Sequence, residues 1–240
     1  MPDCSFLSWP FFEESHRKMA NDLETWADDV LEPMIAAEHD AGHDNAALDE
    51  VCRNYVRALG EGGFLKHCVP QEFGGAVPER LDVRSLCLMR ESLSRRSALA
   101  DFAFAMQGLG TGPITLFGSA ELKERYLPPV GLGGRIAAFA LSEKEAGSNP
   151  AAMTTTATRD GDDYILNGKK TWISNAGLAD HYVVFARTGE APGTKGISAL
   201  VVDAKTLGIS NSARIDIIAP HPLGEMTFDN CRVPATNMLG

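Results

Sequence analysis

Apolar residues recur with a helical period through the first half of the chain and in short alternating runs of β-formers through the second. Leu48, Val51, Cys52, Tyr55, Val56 and Leu59 fall at i, i+3, i+4, i+7, i+8 and i+11, one stripe of a helix that ends at the glycines of 60–63. An earlier helix is predicted over 13–31, stopping before Pro33, because proline lacks an N–H and its ring collides with the carbonyl four residues back. Others are predicted over 81–96, with Val83, Leu86, Met89 and Leu93 inward, and over 120–126, ended by Pro128 and Pro129. VPQEFGG, 69–75, reads as a turn-rich loop. Residues 98–117 are apolar over about the length of a membrane span. Asp101, Gln107, three glycines and Pro113 argue instead for a buried helix that breaks near Gly108.

Past Gly134 the period shortens, and strands are predicted at 135–141, 154–159, 164–166, 170–174, 181–187, 197–202 and 226–231. Asp160, Gly161 and Asp162 make one turn. Asn167 and Gly168 suit the positive φ angles of a tight hairpin. The expected fold class is therefore α+β: an N-terminal all-helical domain, 1–130, followed by an antiparallel β-barrel or sandwich domain, 131–240.

Composition narrows the partners. At 240 residues and 44% hydrophobic content the chain can bury a sizeable core. A net charge of -10 argues against nucleic acid or an anionic membrane surface, since both need basic residues to displace counterions. Cys4, Cys52, Cys68, Cys87 and Cys231 are dispersed with no CxxC pair, so no metal site is expected and a reducing, cytoplasmic compartment fits. The first residues lack a basic segment leading into an apolar run, so no secretory signal is expected.

Two motifs carry candidate chemistry. ALSEKEAGSNPAA, 140–152, ends a strand in a small-residue turn whose backbone N–H groups and hydroxyls suit an anion or a heterocycle edge. It reads equally as a plain loop in which Ser148 or Asn149 caps a helical turn. In YILNGKKTWISNAG, 164–177, strand alternation sets Trp172 and Ser174 on one face, where an indole could stack on a planar ring. Alone, Trp172 reads more naturally as core.

Taken in order, VPQEFGG, GSAELKERYLPPV (118–130), ALSEKEAGSN, NGKKTWISNAG, KGISALVVD and FDNCRVPATNMLG resemble the acyl-CoA dehydrogenase family over nearly the whole chain. The resemblance implies FAD as cofactor. In that frame Ser142 and the backbone at Leu141 bond the flavin's pyrimidine edge, Trp172 lies against the isoalloxazine, and Ser174 donates near N5. Ser148 touches the CoA portion of the substrate, and Asp101 and Ala105 lie on the helix bordering the acyl pocket. The implied reaction is α,β-dehydrogenation of an acyl-CoA thioester: a carboxylate removes the α proton and the β hydride passes to flavin N5. An electron-transferring flavoprotein is the implied acceptor, and a homo-oligomer, dimer or tetramer, the implied assembly.

Three departures qualify this. Asn149 stands where the family usually has aspartate, and IAPHPLG, 218–224, replaces a stretch where many relatives carry an arginine and a small polar segment, with His221 reading as a loop histidine between prolines. The family's C-terminal helical bundle, which carries the base, has no counterpart in 1–240. No catalytic residue is therefore expected here, and neither Glu143 nor Glu145 sits at the base position. Two other readings stay open: a non-catalytic flavin- or acyl-CoA-binding subunit, and a flavin monooxygenase or oxidase of the same fold.

Overall fold

The computed structural model describes residues 4–42, 44–78, 81–189 and 191–240. Among these residues six α-helices precede eight strands: α1 Glu14–Trp26, α2 Glu32–Ala41, α3 Asn45–Glu61, α4 Val83–Ser94, α5 Ala98–Phe117 and α6 Ala120–Gly131, then β1 Ala137–Ala140, β2 Thr156–Asp160, β3 Asp163–Ser174, β4 His181–Arg187, β5 Ile197–Asp203, β6 Ile209–Arg214, β7 Leu223–Pro234 and β8 Met238–Leu239. The α+β architecture is the one expected. The stripe on α3 faces inward throughout, since Leu48, Val51, Cys52, Tyr55, Val56 and Leu59 are all buried, and Asp44 caps the helix by accepting from the Ala47 N–H.

Prolines and glycines end helices less often than the sequence suggests. The first helix continues through Pro33 because a π-turn, Ala27–Leu31, intervenes, with the Glu32 N–H donating to the Ala27 carbonyl five residues back. Pro33 then falls in the first turn of α2, where its fixed φ suits the helix. Helix α6 runs through Pro128 and Pro129 to Gly131. Leu127 and Val130 are wholly buried there, and packing outweighs the lost backbone bonds. Helix α5 does not break near Gly108: it is one helix of 20 residues containing Pro113. Its buried face includes Phe104, Gln107, Gly110 and Ile114, and Thr111 Oγ1 donates to the Cys68 carbonyl at 3.2 Å, tying the helix to the preceding loop. Among the described residues no helix is long and apolar enough to cross a membrane.

The strands form one sheet in the order β6-β7-β3-β2-β4-β5-β8, with β1 beside β4. Most pairings are antiparallel; β1 runs parallel to β4, as does the single contact between Thr156 of β2 and Arg187. Asn167 and Gly168 do not make a hairpin. They form an irregularity inside β3, which is 12 residues long and pairs with β7 on both sides of it. Gly168 adopts φ +150, and a Cβ there would stand 2.4 Å from Thr155 Oγ1, so close approach of neighbouring backbone requires glycine.

The helical half meets the sheet through α5 and α6. Gln107 Oε1 accepts from the Ala137 N–H at 2.9 Å. Tyr126 packs on His181 with ring centroids 4.8 Å apart, and Asp203 takes Arg125 at 2.6 Å and Arg135. His221 stacks against Phe102 of α5 at 4.4 Å, which docks its loop on the helices.

Candidate functional site

Strand β1 delivers the chain into the turn at 141–149. The Glu143 N–H donates to the Ala146 carbonyl at 3.2 Å and the Ala146 N–H returns the bond at 3.1 Å, a tight loop that turns Lys144 and Glu145 to solvent. Gly147, Ser148 and Asn149 follow, all exposed. Asn149 precedes a short 3-10 turn, Pro150–Ala152, but its side chain makes no capping bond. Leu141 and Ser142 are half-buried. Among the described residues, neither the Ser142 N–H nor its hydroxyl has a protein partner.

The second motif comes to the same place. The Thr171 N–H donates to the Ser142 carbonyl at 3.0 Å, so the turn abuts the residue preceding Trp172. Strand alternation fails here: β3 shifts register against β7 between Lys170 and Ile173, leaving Lys170 and Thr171 both buried and Trp172 58% exposed. Trp172 is therefore not core. It adopts φ 58, a left-handed conformation that costs on the order of 1–3 kcal/mol for a bulky residue and concentrates at functional sites. Ser174, two residues on, is half-buried, and no protein partner of its hydroxyl occurs among the described residues.

Beneath the turn lies an ion pair that motif reading passed over. Lys170, 1% exposed, donates to Glu143 Oε1 at 2.8 Å and to the Leu141 carbonyl at 3.0 Å. Glu143 also accepts from the Thr154 N–H at 2.7 Å, the Thr154 hydroxyl at 2.8 Å and the Thr155 N–H at 3.0 Å. Burial pushes the Glu143 carboxyl upward, but the hydrogen bonds from Lys170, Thr155 and the two backbone N–H groups more than offset it and hold it at about 2. Burial also draws the Lys170 ammonium below its ordinary range, against the pull of Glu143. The available signal was the Lys169-Lys170 pair: adjacent residues of a pleated strand point to opposite faces, so the two lysines do not share one side of β3.

The helical half contributes a separate cleft of about 1430 Å3 between α4, α5 and the segment around 68–78, lined by Pro70, Val77, Leu86, Phe104, Ala105 and Leu109 among others. Ala105 thus faces the cleft. Asp101 does not line it; its carboxylate takes the Arg90 guanidinium in a two-point bond at 2.8 and 2.7 Å, and Arg90 reaches the cleft wall. None of Leu141, Ser142, Ser148, Trp172 and Ser174 lines the cleft. His221, held against Phe102, donates from Nδ1 to the Ala219 carbonyl at 2.9 Å. Among the described residues no group of three metal-binding side chains exists.

These features suit a flat ring with a hydrogen-bonding edge: an exposed indole held in a strained conformation, and beside it an N–H and two hydroxyls that have no partner among the described residues.

Comparison with known proteins agrees. Residues 13–133 match the model of the acyl-CoA dehydrogenase N-terminal domain and 138–231 that of the acyl-CoA dehydrogenase middle domain. The chain is 37% identical over 237 residues to a 3-(aryl)acrylate reductase of Clostridium sporogenes, covering 96% of this chain and 59% of that relative. It superposes on butyryl-CoA dehydrogenase of Megasphaera elsdenii with TM-score 0.82 at 29% identity, over 95% of this chain and 59% of the other. It also superposes on an acyl-CoA dehydrogenase of Bacillus anthracis complexed with FAD, with TM-score 0.79 at 31% identity, over 95% and 38% of the two chains. The chain therefore spans less than two thirds of the length of these relatives. Two matched domains in sequence order, on a helical half followed by this sheet, establish that the chain belongs to the acyl-CoA dehydrogenase family.

Proposed function

We propose that residues 1–240 form the flavin- and thioester-binding part of an FAD-dependent acyl-CoA dehydrogenase. The observation that carries this reading is the bond from the Thr171 N–H to the Ser142 carbonyl, which sets a free N–H and hydroxyl beside an exposed tryptophan in a strained backbone. FAD, when bound, supplies the two-electron acceptor that no protein side chain provides. In this reading Ser142 and the backbone at Leu141 orient the pyrimidine edge, Trp172 covers one face of the ring and excludes water, and Ser174 donates near N5. Ser148, exposed at the end of the turn, contacts the CoA portion. Ala105 borders the acyl chain in the α4–α5 cleft, with Asp101 neutralised beside it by Arg90.

The base that removes the α proton lies outside 1–240. Glu143 is buried and ionised against Lys170, so it has no free lone pair to offer and no affinity for a proton near neutrality. An electron-transferring flavoprotein as acceptor and a homo-oligomeric assembly accompany this reading. Anaerobic titration of the FAD-loaded complete enzyme, which supplies the base that 1–240 lacks, with acyl-CoA thioesters of graded length and branching tests it: flavin bleaching by one class supports dehydrogenation, and bleaching by none overturns it.

The similarity to a 3-(aryl)acrylate reductase supports a second reading, in which the same Cα–Cβ bond is reduced rather than oxidised. Re-oxidation of the dithionite-reduced protein by an arylacrylate, with no bleaching by saturated thioesters, would select it.

A further inference from the structure

Burying an ammonium costs several kcal/mol, and an apolar side chain of similar volume commonly serves stability as well or better. Lys170 is nonetheless sealed inside the sheet, 1% exposed. Its partners suggest why. The Leu141 carbonyl that it bonds at 3.0 Å is one end of a peptide group whose other end is the Ser142 N–H. A cation on the oxygen draws density from the nitrogen and makes that N–H a stronger donor. The next peptide is treated alike, because the Ser142 carbonyl accepts from the Thr171 N–H. Glu143, fixed by three bonds from Thr154 and Thr155, holds the ammonium on its target.

We propose that Lys170, oriented by Glu143, is a positioning residue for the flavin: it polarises the Leu141–Ser142 peptide so that the Ser142 N–H binds the negatively charged reduced pyrimidine edge more tightly than the oxidised one. This rests on the reading that Ser142 faces the flavin. The pair then has two effects. It fixes the distance between the 141–149 turn and the strand that carries Trp172, and it biases the bound cofactor toward reduction.

The test is the two-electron potential and FAD affinity of the flavin-loaded protein. Lys170→Met combined with Glu143→Gln leaves no uncompensated buried charge and so preserves the fold. In it the ratio of reduced to oxidised FAD affinity is expected to fall about tenfold, equal to a potential lower by about 30 mV. Glu143→Gln alone keeps the cation and removes the carboxylate, so its potential should rise. A mere structural staple would move both variants in the same direction or neither. A folded, flavin-loaded double variant whose ratio stays within twofold of the parent overturns the inference. Trp172→Ala separates the two levels: flavin loss there with an unmoved double variant rejects the role of Lys170 alone, whereas unchanged flavin content rejects the flavin site and this inference together.

Discussion

A Cβ placed on Gly110 would lie 2.5 Å from the Cβ of Ala137, so α5 and β1 touch backbone to backbone at this point. That contact sets how the helical half sits on the strand that leads into the 141–149 turn. Gly110→Ala should therefore lose stability, although alanine in place of a helical glycine ordinarily adds about 1 kcal/mol. Overpacking of about 1–3 kcal/mol outweighs the propensity gain. Urea unfolding reads the balance; a higher midpoint would mean that α5 can stand away from β1 without loss.

His181 should make the protein acid-sensitive. It is wholly buried with neither ring nitrogen bonded among the described residues, and burial, helped by Arg135, pushes its pKa down to about 3. The unfolded chain binds this proton near the ordinary value of about 6.5. Between those values the unfolded state holds more protons, so stability is complete above about pH 6.5 and falls as pH drops toward 3, by up to about 1.4 kcal/mol per unit. His181→Phe should flatten the slope between pH 6.5 and 5, above the carboxylate range. An unchanged slope in urea midpoints would show that His181 is protonated in the folded state.

Trp172→Ala should weaken FAD binding about tenfold, from lost stacking of about 1 kcal/mol together with lost apolar contact. The side chain is 58% exposed and makes little core, so thermal unfolding of the flavin-free protein should barely change. Flavin content after gel filtration checks the first, and calorimetry the second.

Residues 1–240 alone should turn over no acyl-CoA with an artificial electron acceptor. Glu143 is spent on Lys170 and held at about 2, so it cannot take the α proton, and Asp101, bound by Arg90, does not line the cleft. Measurable turnover would place a base within this chain.

Much of this was legible in residue order. The stripe from Leu48 to Leu59 follows from side-chain period, because it buries a face set by its own local geometry, and His181–Arg187 from a short run of β-formers, buried on both faces. The motif pair pointed to the family and to the turn beside Trp172. What local rules misjudged were breakers inside packed elements: Pro33 behind a π-turn, Pro128 and Pro129 in α6, and Gly108 in α5. Propensity is worth about 1–3 kcal/mol at such positions, and burial of whole helix faces exceeds it.

The sequence by itself determined the change from helices to strands past Gly134 and the family, whereas β6 and β8 were not among the strands expected and the two expected at 164–166 and 170–174 are one, β3. Only the tertiary structure decided that Asn167 and Gly168 bend a strand rather than end it, that Trp172 turns outward, and that Lys170 reaches Glu143 and Leu141. Those outcomes depend on register between β3 and β7 and on pairs far apart in the chain. Such terms arise where segments meet, and no window along the sequence contains both partners.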